Sequence, residues 1–357
     1  MRGVGSHGSN SLVDALPTTP MLHSTTSRLA GVGTLQLIVA INVLEVLLRT
    51  KESNLGELAQ QCETETYAVL EAIEYLSGQG LDISVGSSVK LSLPDSIILL
   101  DQNKIWSFIK PSVGNRIDNL ELSYVTPSTN SLALAHKSVD KFNFFLTEHQ
   151  VSGKGRRGRS WVSKFGDNLL MSAACRVPRP LHQVSVLSLW SAVACYNAIK
   201  SLGVREIGIK WPNDIYVNGK KVAGILLEAK QSTEGYTHLA VGMGINCNQL
   251  DKNVFIGQPW ISLREAIGGY VDRNFLAAAV IEELVNCFTV AFSKPDRLIE
   301  LWHDRDIYLG QNVCVLAGDD GEISGVHQGI TPEGLLILGT DTGEHYYNAG
   351  EVSLRGR

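Results

Sequence analysis

From Thr147 to Phe165 the chain reads Thr-Glu-His-Gln-Val-Ser-Gly-Lys-Gly-Arg-Arg-Gly-Arg-Ser-Trp-Val-Ser-Lys-Phe. Gly153, Gly155 and Gly158 alternate with Lys154, Arg156, Arg157 and Arg159, and Trp161 follows. Glycine permits tight turns and close backbone approach, so such a segment can wrap a ligand. The cations around it suit an anion, above all a phosphate, through charge-assisted hydrogen bonds. The spacing also matches Gly-x-Gly-x-x-Gly, but a dinucleotide loop must open an amphipathic helix directly after a strand. Here Arg-Ser-Trp-Val-Ser-Lys-Phe-Gly follows without helical apolar period. Neither the later kinase signatures nor a Walker A lysine motif occurs. Taken alone, the stretch reads equally as a ligand loop or as a solvated basic, arginine-rich RNA-binding segment.

Two further stretches favour the ligand loop. Ile207 to Lys230 contains Lys210-Trp-Pro-Asn213-Asp214, then two strand-like runs flanking Asn218-Gly219, a strong hairpin signal. Val241-Gly-Met-Gly-Ile-Asn246 is a strand in which Gly242 and Gly244 leave room for something large to press close. Upstream, Ser128-Thr129-Asn130 precedes a helical pattern and suits an N-cap.

Together these motifs, in this order, resemble the biotin protein ligases from about Leu120 to the end of the chain. The helical N-terminal region is similar to that of the bifunctional ligase/repressor branch. The implied fold is α+β: a winged helix-turn-helix-like domain over 31–94, a linker over 95–119, a central mixed-sheet catalytic domain of the class II synthetase-like, biotin ligase type over 120–304, and an SH3-like β-barrel over 305–357. Residues 1–30, rich in Gly, Ser, Thr and Pro, are expected to be a disordered extension.

The resemblance also implies a two-step reaction. Biotin's carboxylate attacks the α-phosphorus of ATP to give biotinoyl-adenylate. A lysine of biotin carboxyl carrier protein then attacks that mixed anhydride. No enzymic nucleophile is required. Two anions must meet, however, and unit charges at 4 Å repel by roughly 1 kcal/mol in water and roughly 4 at an effective dielectric of 20. Lys210, Arg156 and Arg159 are therefore the expected catalytic cations. By the same carry-over Ser128, Thr129, Asn130, Gln150, Lys154, Gly155, Arg156 and Lys210 meet biotin. Arg157, Arg159, Asn213, Asp214 and Arg355 meet ATP. Asn213 and Asp214 either orient Lys210 or hold Mg²⁺. The family usually has Arg where this chain has Lys154, which supplies the charge without the planar fork.

Composition is that of an ordinary soluble protein, 44% hydrophobic and 19% charged, with net charge −5 that recommends no polyanionic partner. Six dispersed cysteines without a Cys-x-x-Cys pair argue against a zinc ribbon or disulfide framework. The run Leu35 to Leu48 is too short and polar to span a bilayer, so a cytoplasmic protein is expected.

Between Thr34 and Leu93 the pattern is three helices and a small hairpin. Leu37, Ile41, Leu44 and Leu48 share one helical face, and Val69, Leu70, Ile73 and Leu76 another. This is the plan of a DNA-binding module, yet its charges oppose the role. From Glu52 to Val89 there is no Lys or Arg, while Glu63, Glu65, Glu71 and Glu74 crowd the would-be recognition helix. DNA affinity rests mainly on phosphate neutralisation. The alternatives that stay open are a repressor that senses biotin, a lipoate ligase of similar architecture, and a helical module that only packs on the ligase. Family analogy also implies homodimerisation through sheet edges.

Overall fold

The computed structural model describes residues 32–93, 97–137, 141–232, 235–250, 258–316, 321–349 and 353–356. The expected extension over 1–30 lies outside the described residues.

Helices α1 (Val32–Thr50), α2 (Leu55–Gln61) and α3 (Thr66–Gly78) pack on a small sheet of β1 (Glu52–Ser53), β3 (Val89–Ser92) and β2 (Asp82–Val85), in that order. The Asn54 side chain caps α2 by accepting from the Glu57 amide at 2.8 Å. Two packing expectations are corrected. In α1, Leu37 and Ile41 are only half-buried, whereas Ala40, Val43 and Leu47 are fully covered beside Leu44. The helix touches both α3 and, beyond its own unit, the strand over Ile117–Thr126, so its buried face is wider than one stripe. In α3, Leu70 stands 43% exposed, because Val69, Ala72, Ile73 and Leu76 already define the inward side.

Next come α4 (Gln102–Phe108), α5 (Pro111–Gly114), β4 (Ile117–Thr126), α6 (Thr129–Ala135), β5 (Phe142–Gln150), β6 (Leu169–Val177) and α7 (Leu187–Lys200). They are followed by β7 (Ile207–Lys210), β8 (Asp214–Val217), β9 (Lys220–Gln231), β10 (Thr237–Ile245), α8 (Leu263–Ile267), α9 (Arg273–Ser293) and α10 (Arg297–His303). Seven of these strands form one sheet, ordered β4-β5-β6-β10-β9-β8-β7, parallel between β4 and β5 and antiparallel elsewhere. The stretch expected to be a linker packs as well: Leu100, Ile105, Ile109 and Val113 are buried in the main core, with α4 against α9.

Strand alternation divides the sheet into two unlike faces. Met171, Ala173, Leu239, Val241, Ile225 and Leu146 lie in the large core with α7 and α9. The opposite face, covered in part by α6, carries small or polar residues: Ser172, Ala174, Ala240, Gly242, Gly244 and Gly224. The core side of the sheet also holds a buried ion pair. Arg273 of α9 donates to Glu148 of β5 at 2.5 Å, both side chains wholly buried, and Glu148 also accepts from the Leu100 amide. Removing one partner of such a buried pair would strand a charge; Arg273 also donates to the carbonyls of Asn168 and Ile98, while its Nε has no partner. Although α9 is apolar and long enough to cross a membrane by composition, it is the central core helix here.

The C-terminal strands β11 (Asn312–Leu316), β12 (Glu322–Ile330), β13 (Leu336–Thr340), β14 (Gly343–Tyr347) and β15 (Ser353–Gly356) form an antiparallel sheet ordered β14-β13-β12-β11-β15. This sheet docks on the catalytic one. Ile209 of β7 exchanges backbone bonds with Arg305 and Ile307, and the Trp211 indole donates to the Gly334 carbonyl at 3.1 Å.

Candidate active site

All thirteen residues singled out from the sequence line one cavity of about 840 Å³ on the small-residue face of the large sheet. They arrive from separate elements. Ser128, Thr129 and Asn130 begin α6, and Gln150 ends β5. Lys154 to Arg159 form the loop beyond it, Lys210 ends β7, Asn213 and Asp214 lie at the β7–β8 turn, and Arg355 comes from β15.

The floor is made by missing side chains. A Cβ on Gly242 would collide with the Asn130 amide, and one on Gly244 with the Trp161 indole. At Gly224 it would meet Trp161 at 3.1 Å and the Lys221 ammonium at 3.2 Å. Gly244 lies opposite Gly224 in the ladder, and Gly242 opposite Leu226. The cavity therefore runs across the sheet: Asn130 at one end, Trp161 over the middle, Lys221 and Asp214 beyond. Glycine is needed at 242 and 244 for close approach, not for turning.

At the α6 end Thr129, Asn130 and Ser172 are neutral and buried, with Gln150 and the Glu228 carboxylate beside them. Gln150 Oε1 accepts from the Thr129 amide at 2.8 Å and lies 3.1 Å from its hydroxyl, which is 2.7 Å from the Ser172 hydroxyl. Ser172 donates to Asn130 Oδ1 at 2.7 Å, and Asn130 Nδ2 donates to Glu228 at 2.7 Å and to the Leu226 carbonyl at 3.2 Å. The expected capping role of Ser128 is corrected. It holds the N-cap position, but its hydroxyl makes no capping bond, leaving that group free for the cavity it lines.

At the other end seven cations line the cavity, Lys154, Arg156, Arg157, Arg159, Lys210, Lys221 and Arg355, against one carboxylate, Asp214. That concentration belongs to a chain of net charge −5, so the field is local. Arg156 donates to Asn213 Oδ1 at 3.0 Å, and the Asn213 amide nitrogen donates to the Ile225 carbonyl. Asp214 pairs with Lys221 at 2.6 Å, both side chains under a fifth exposed. In the structure Asn213 therefore orients Arg156, and Asp214 holds Lys221 while lying opposite Lys210 in the β7–β8 pair. Among the described residues no three His, Cys, Asp or Glu gather to hold an ion.

Lys210 sits between two aromatic rings, its ammonium 5.4 Å from the Tyr216 centroid and 6.0 Å from that of Tyr308, with the Tyr216 hydroxyl at 3.4 Å. Burial pulls its pKa below the ordinary lysine value; Asp214 opposes this, while Lys221, Arg355 and Arg159 add to it. Burial likewise lowers Arg156, again against Asp214. Tyr216 is pushed well up, first by burial and then by Asp214 and Tyr308, so it stays a neutral donor.

Sequence reasoning missed Lys221, Ser172, Tyr216, Glu228, Trp260 and Tyr308. For Lys221 a signal existed: it stands three residues before Gly224, in the same run as the hairpin signal. Tyr308 and Ser172 carry none, because only docking of the C-terminal sheet and strand pairing bring them to the site.

Residues 122–246 match the Biotin/lipoate A/B protein ligase family, and residues 308–355 match the Biotin protein ligase C terminal domain. The chain is 33% identical over 322 residues to the bifunctional ligase/repressor BirA of Escherichia coli, covering 87% of this chain and 96% of that protein. It is 33% identical over 241 residues to the biotin--[acetyl-CoA-carboxylase] ligase of Paracoccus denitrificans, covering 65% of this chain and 98% of that one. In three dimensions it is similar to the biotin protein ligase of Aquifex aeolicus in complex with biotin and ATP. The TM-score is 0.57 at 26% identity, over 68% of this chain and 99% of the other.

Proposed function

This chain belongs to the biotin protein ligase family, and from that premise we propose that it joins biotin to a protein lysine at the cost of ATP, through biotinoyl-5′-AMP. One observation carries the reading. A single cavity joins a neutral, buried hydrogen-bonding end to an end lined by seven cations, across a floor of glycines. Biotin has one neutral bicyclic end and one carboxylate, joined by an apolar chain. Its ring fits the Thr129, Asn130 and Gln150 end, and its chain the floor beneath Trp161. Its carboxylate then reaches Lys221 and Arg156, where ATP's α-phosphate must also come.

The cations act by offsetting charge. Carboxylate and phosphate repel until positive groups are fixed between them, and charge on the pentacovalent phosphorus is stabilised in the same place. Lys221, held by Asp214, and Arg156, held by Asn213, are pre-aimed for this work. Lys210, Arg157, Arg159, Lys154 and Arg355 serve the nucleotide's phosphates. Mg²⁺ is expected to arrive with ATP, and Asp214 is the acidic side chain of the cavity lining that could meet it. The glycine loop carrying Arg156 excludes water from the mixed anhydride until an acceptor lysine arrives. A carrier domain of acetyl-CoA carboxylase is the proposed acceptor. The three-helix unit and the C-terminal sheet fit a winged helix-turn-helix and an SH3-like barrel. A homodimer would use the terminal strand β4 of the large sheet, since β7 is already bonded to the segment at Arg305–Ile307, and sedimentation with and without biotin and ATP tests it.

Intact mass of a biotin carrier domain incubated with this protein, ATP-Mg²⁺ and biotin tests the main reading. A gain of one biotin, absent with Lys221→Ala and reduced with Lys210→Ala, is the expected result. A gain with lipoate but none with biotin would transfer the mechanism to the other substrate. No gain with either would refute the ligase.

DNA binding is opposed by a specific observation. The outward face of α3 presents Tyr67, Leu70, Glu71 and Glu74, all exposed, and no cation. A repressor would bind duplex DNA with a steep salt dependence; electrophoretic mobility at low salt should show none.

A further inference from the structure

We infer that Glu228 is a positioning residue that sets the hydrogen-bond polarity of the cavity's neutral end, and thereby selects a cyclic urea over a ring lacking N–H and C=O groups. The inference rests on the biotin ligase reading and names what makes it specific.

Polarity follows from Glu228 step by step. A carboxylate and a carbonyl accept only, so Glu228 and the Leu226 carbonyl together force Asn130 to point its Nδ2 toward them. Asn130 Oδ1 must then face Ser172, whose hydroxyl proton is spent on it at 2.7 Å. The 2.7 Å contact between Ser172 and Thr129 now needs the proton of Thr129. The 3.1 Å contact from Thr129 to Gln150 is the longer one and loses that proton. The Thr129 oxygen consequently retains lone pairs, and can accept a ligand N–H. Gln150 Oε1 is held by the Thr129 amide at 2.8 Å, so Gln150 offers its Nε2 hydrogens. An acceptor and a donor side by side match the N–H and C=O of a ureido group. A dithiolane offers neither. Ser172 is wholly buried, and Thr129 and Asn130 are 3% and 4% exposed, so water cannot readily reverse these dipoles. Gly242 supports the arrangement, since a methyl there would displace the Asn130 amide.

The test compares Glu228→Leu, Glu228→Gln and Ser172→Ala with the parent in the carrier-biotinylation assay. Biotin KM, ATP KM, kcat and thermal stability are measured for each. Glu228→Leu should raise the biotin KM by about tenfold, the scale of a lost charge-assisted bond, with ATP KM and kcat little changed. Glu228→Gln keeps an acceptor for Asn130 and should restore most of that loss. Ser172→Ala should weaken biotin in the same direction, and both damaged variants should lose discrimination between biotin and lipoate. If the parent biotinylates its acceptor and Glu228→Leu keeps the parental biotin KM, the polarity role is refuted while the ligase stands. Equal losses in biotin and ATP KM, unrescued by Glu228→Gln, would make Glu228 merely structural and also refute it. A parent that never biotinylates would instead overturn the reading beneath.

Discussion

The two ends of the cavity are built by opposite strategies. The ring end is neutral, buried and cross-bonded, with Thr129, Asn130, Ser172 and Gln150 satisfying one another across α6, β5 and β6. At the phosphate end Lys154, Arg157, Arg159 and Arg355 are exposed, whereas Arg156 is anchored on Asn213 and Lys221 on Asp214. Distinguishing one small neutral ring from another depends on fixed donors and acceptors, because a mismatched buried polar group is costly. A highly charged ligand such as ATP is attracted over longer range and tolerates mobile cations. Specificity is thus assigned to the rigid end, and chemistry to the few cations tied down at the boundary.

The sharpest break of this comparison is at the boundary itself. Lys221→Ala removes a cation and leaves Asp214 unpaired among phosphates; carrier biotinylation, followed by intact mass, should slow by about 10²–10³-fold, the scale seen when one electrostatic stabiliser is deleted. Arg156→Gly should slow adenylate formation but open the loop and let the intermediate escape, so bystander proteins become labelled faster than with the parent. A streptavidin blot without the carrier domain detects this, and labelling no faster than the parent's would show that the loop does not retain the adenylate.

Moderate effects are expected where each end is perturbed alone. Gly242→Ala pushes on Asn130 and should weaken biotin by about tenfold, within the usual 1–3 kcal/mol of overpacking, while ATP affinity measured by calorimetry stays close to parental. On the charged side, Lys210 must be protonated to act, and its pKa is lowered by burial and then by neighbouring cations. Adenylate formation should therefore decline at a lower pH than an ordinary lysine would impose. Arg355→Gln removes one of those cations and should move the decline upward in a pyrophosphate-release profile.

A further effect, read in stability and not in activity, concerns the ring side. His149, the residue before Gln150, is buried against Gln79 of the N-terminal unit, and burial pulls its pKa down to about 4. The unfolded value is near 6.5, so the folded state resists protonation. Its contribution, up to about 3 kcal/mol, is complete above roughly pH 6.5 and is lost as pH falls toward about 4. Urea titrations at pH 7 and pH 5 should show that loss, reduced in His149→Gln.

Much of this was legible in the residues themselves. The glycine–arginine loop, the turn at Asn218-Gly219 and the bare positions Gly242 and Gly244 announce their geometry by what they lack or carry locally. Pairings set by tertiary register were not. The segment from Ile207 is two antiparallel strands with Lys210 opposite Asp214, yet the Asp214 carboxylate makes its ion pair with Lys221 across the β8–β9 hairpin. Leu70 misled for a related reason: four apolar residues on α3 fit a helical face, but three and an alanine suffice to fill the space beneath.

Trp161, laid flat across Gly244 with the Lys221 ammonium 5.7 Å from its ring, gives the protein a built-in optical reporter. An indole's emission responds to nearby charge and to exclusion of water, and both change when an acid and a nucleotide fill the space around this one. Titrating unlabelled ligand against intrinsic fluorescence, with Trp161→Phe as the blank, would separate this signal from that of the deeply buried Trp190, Trp211 and Trp302. Occupancy could then be timed in a stopped-flow instrument without any chemical tag.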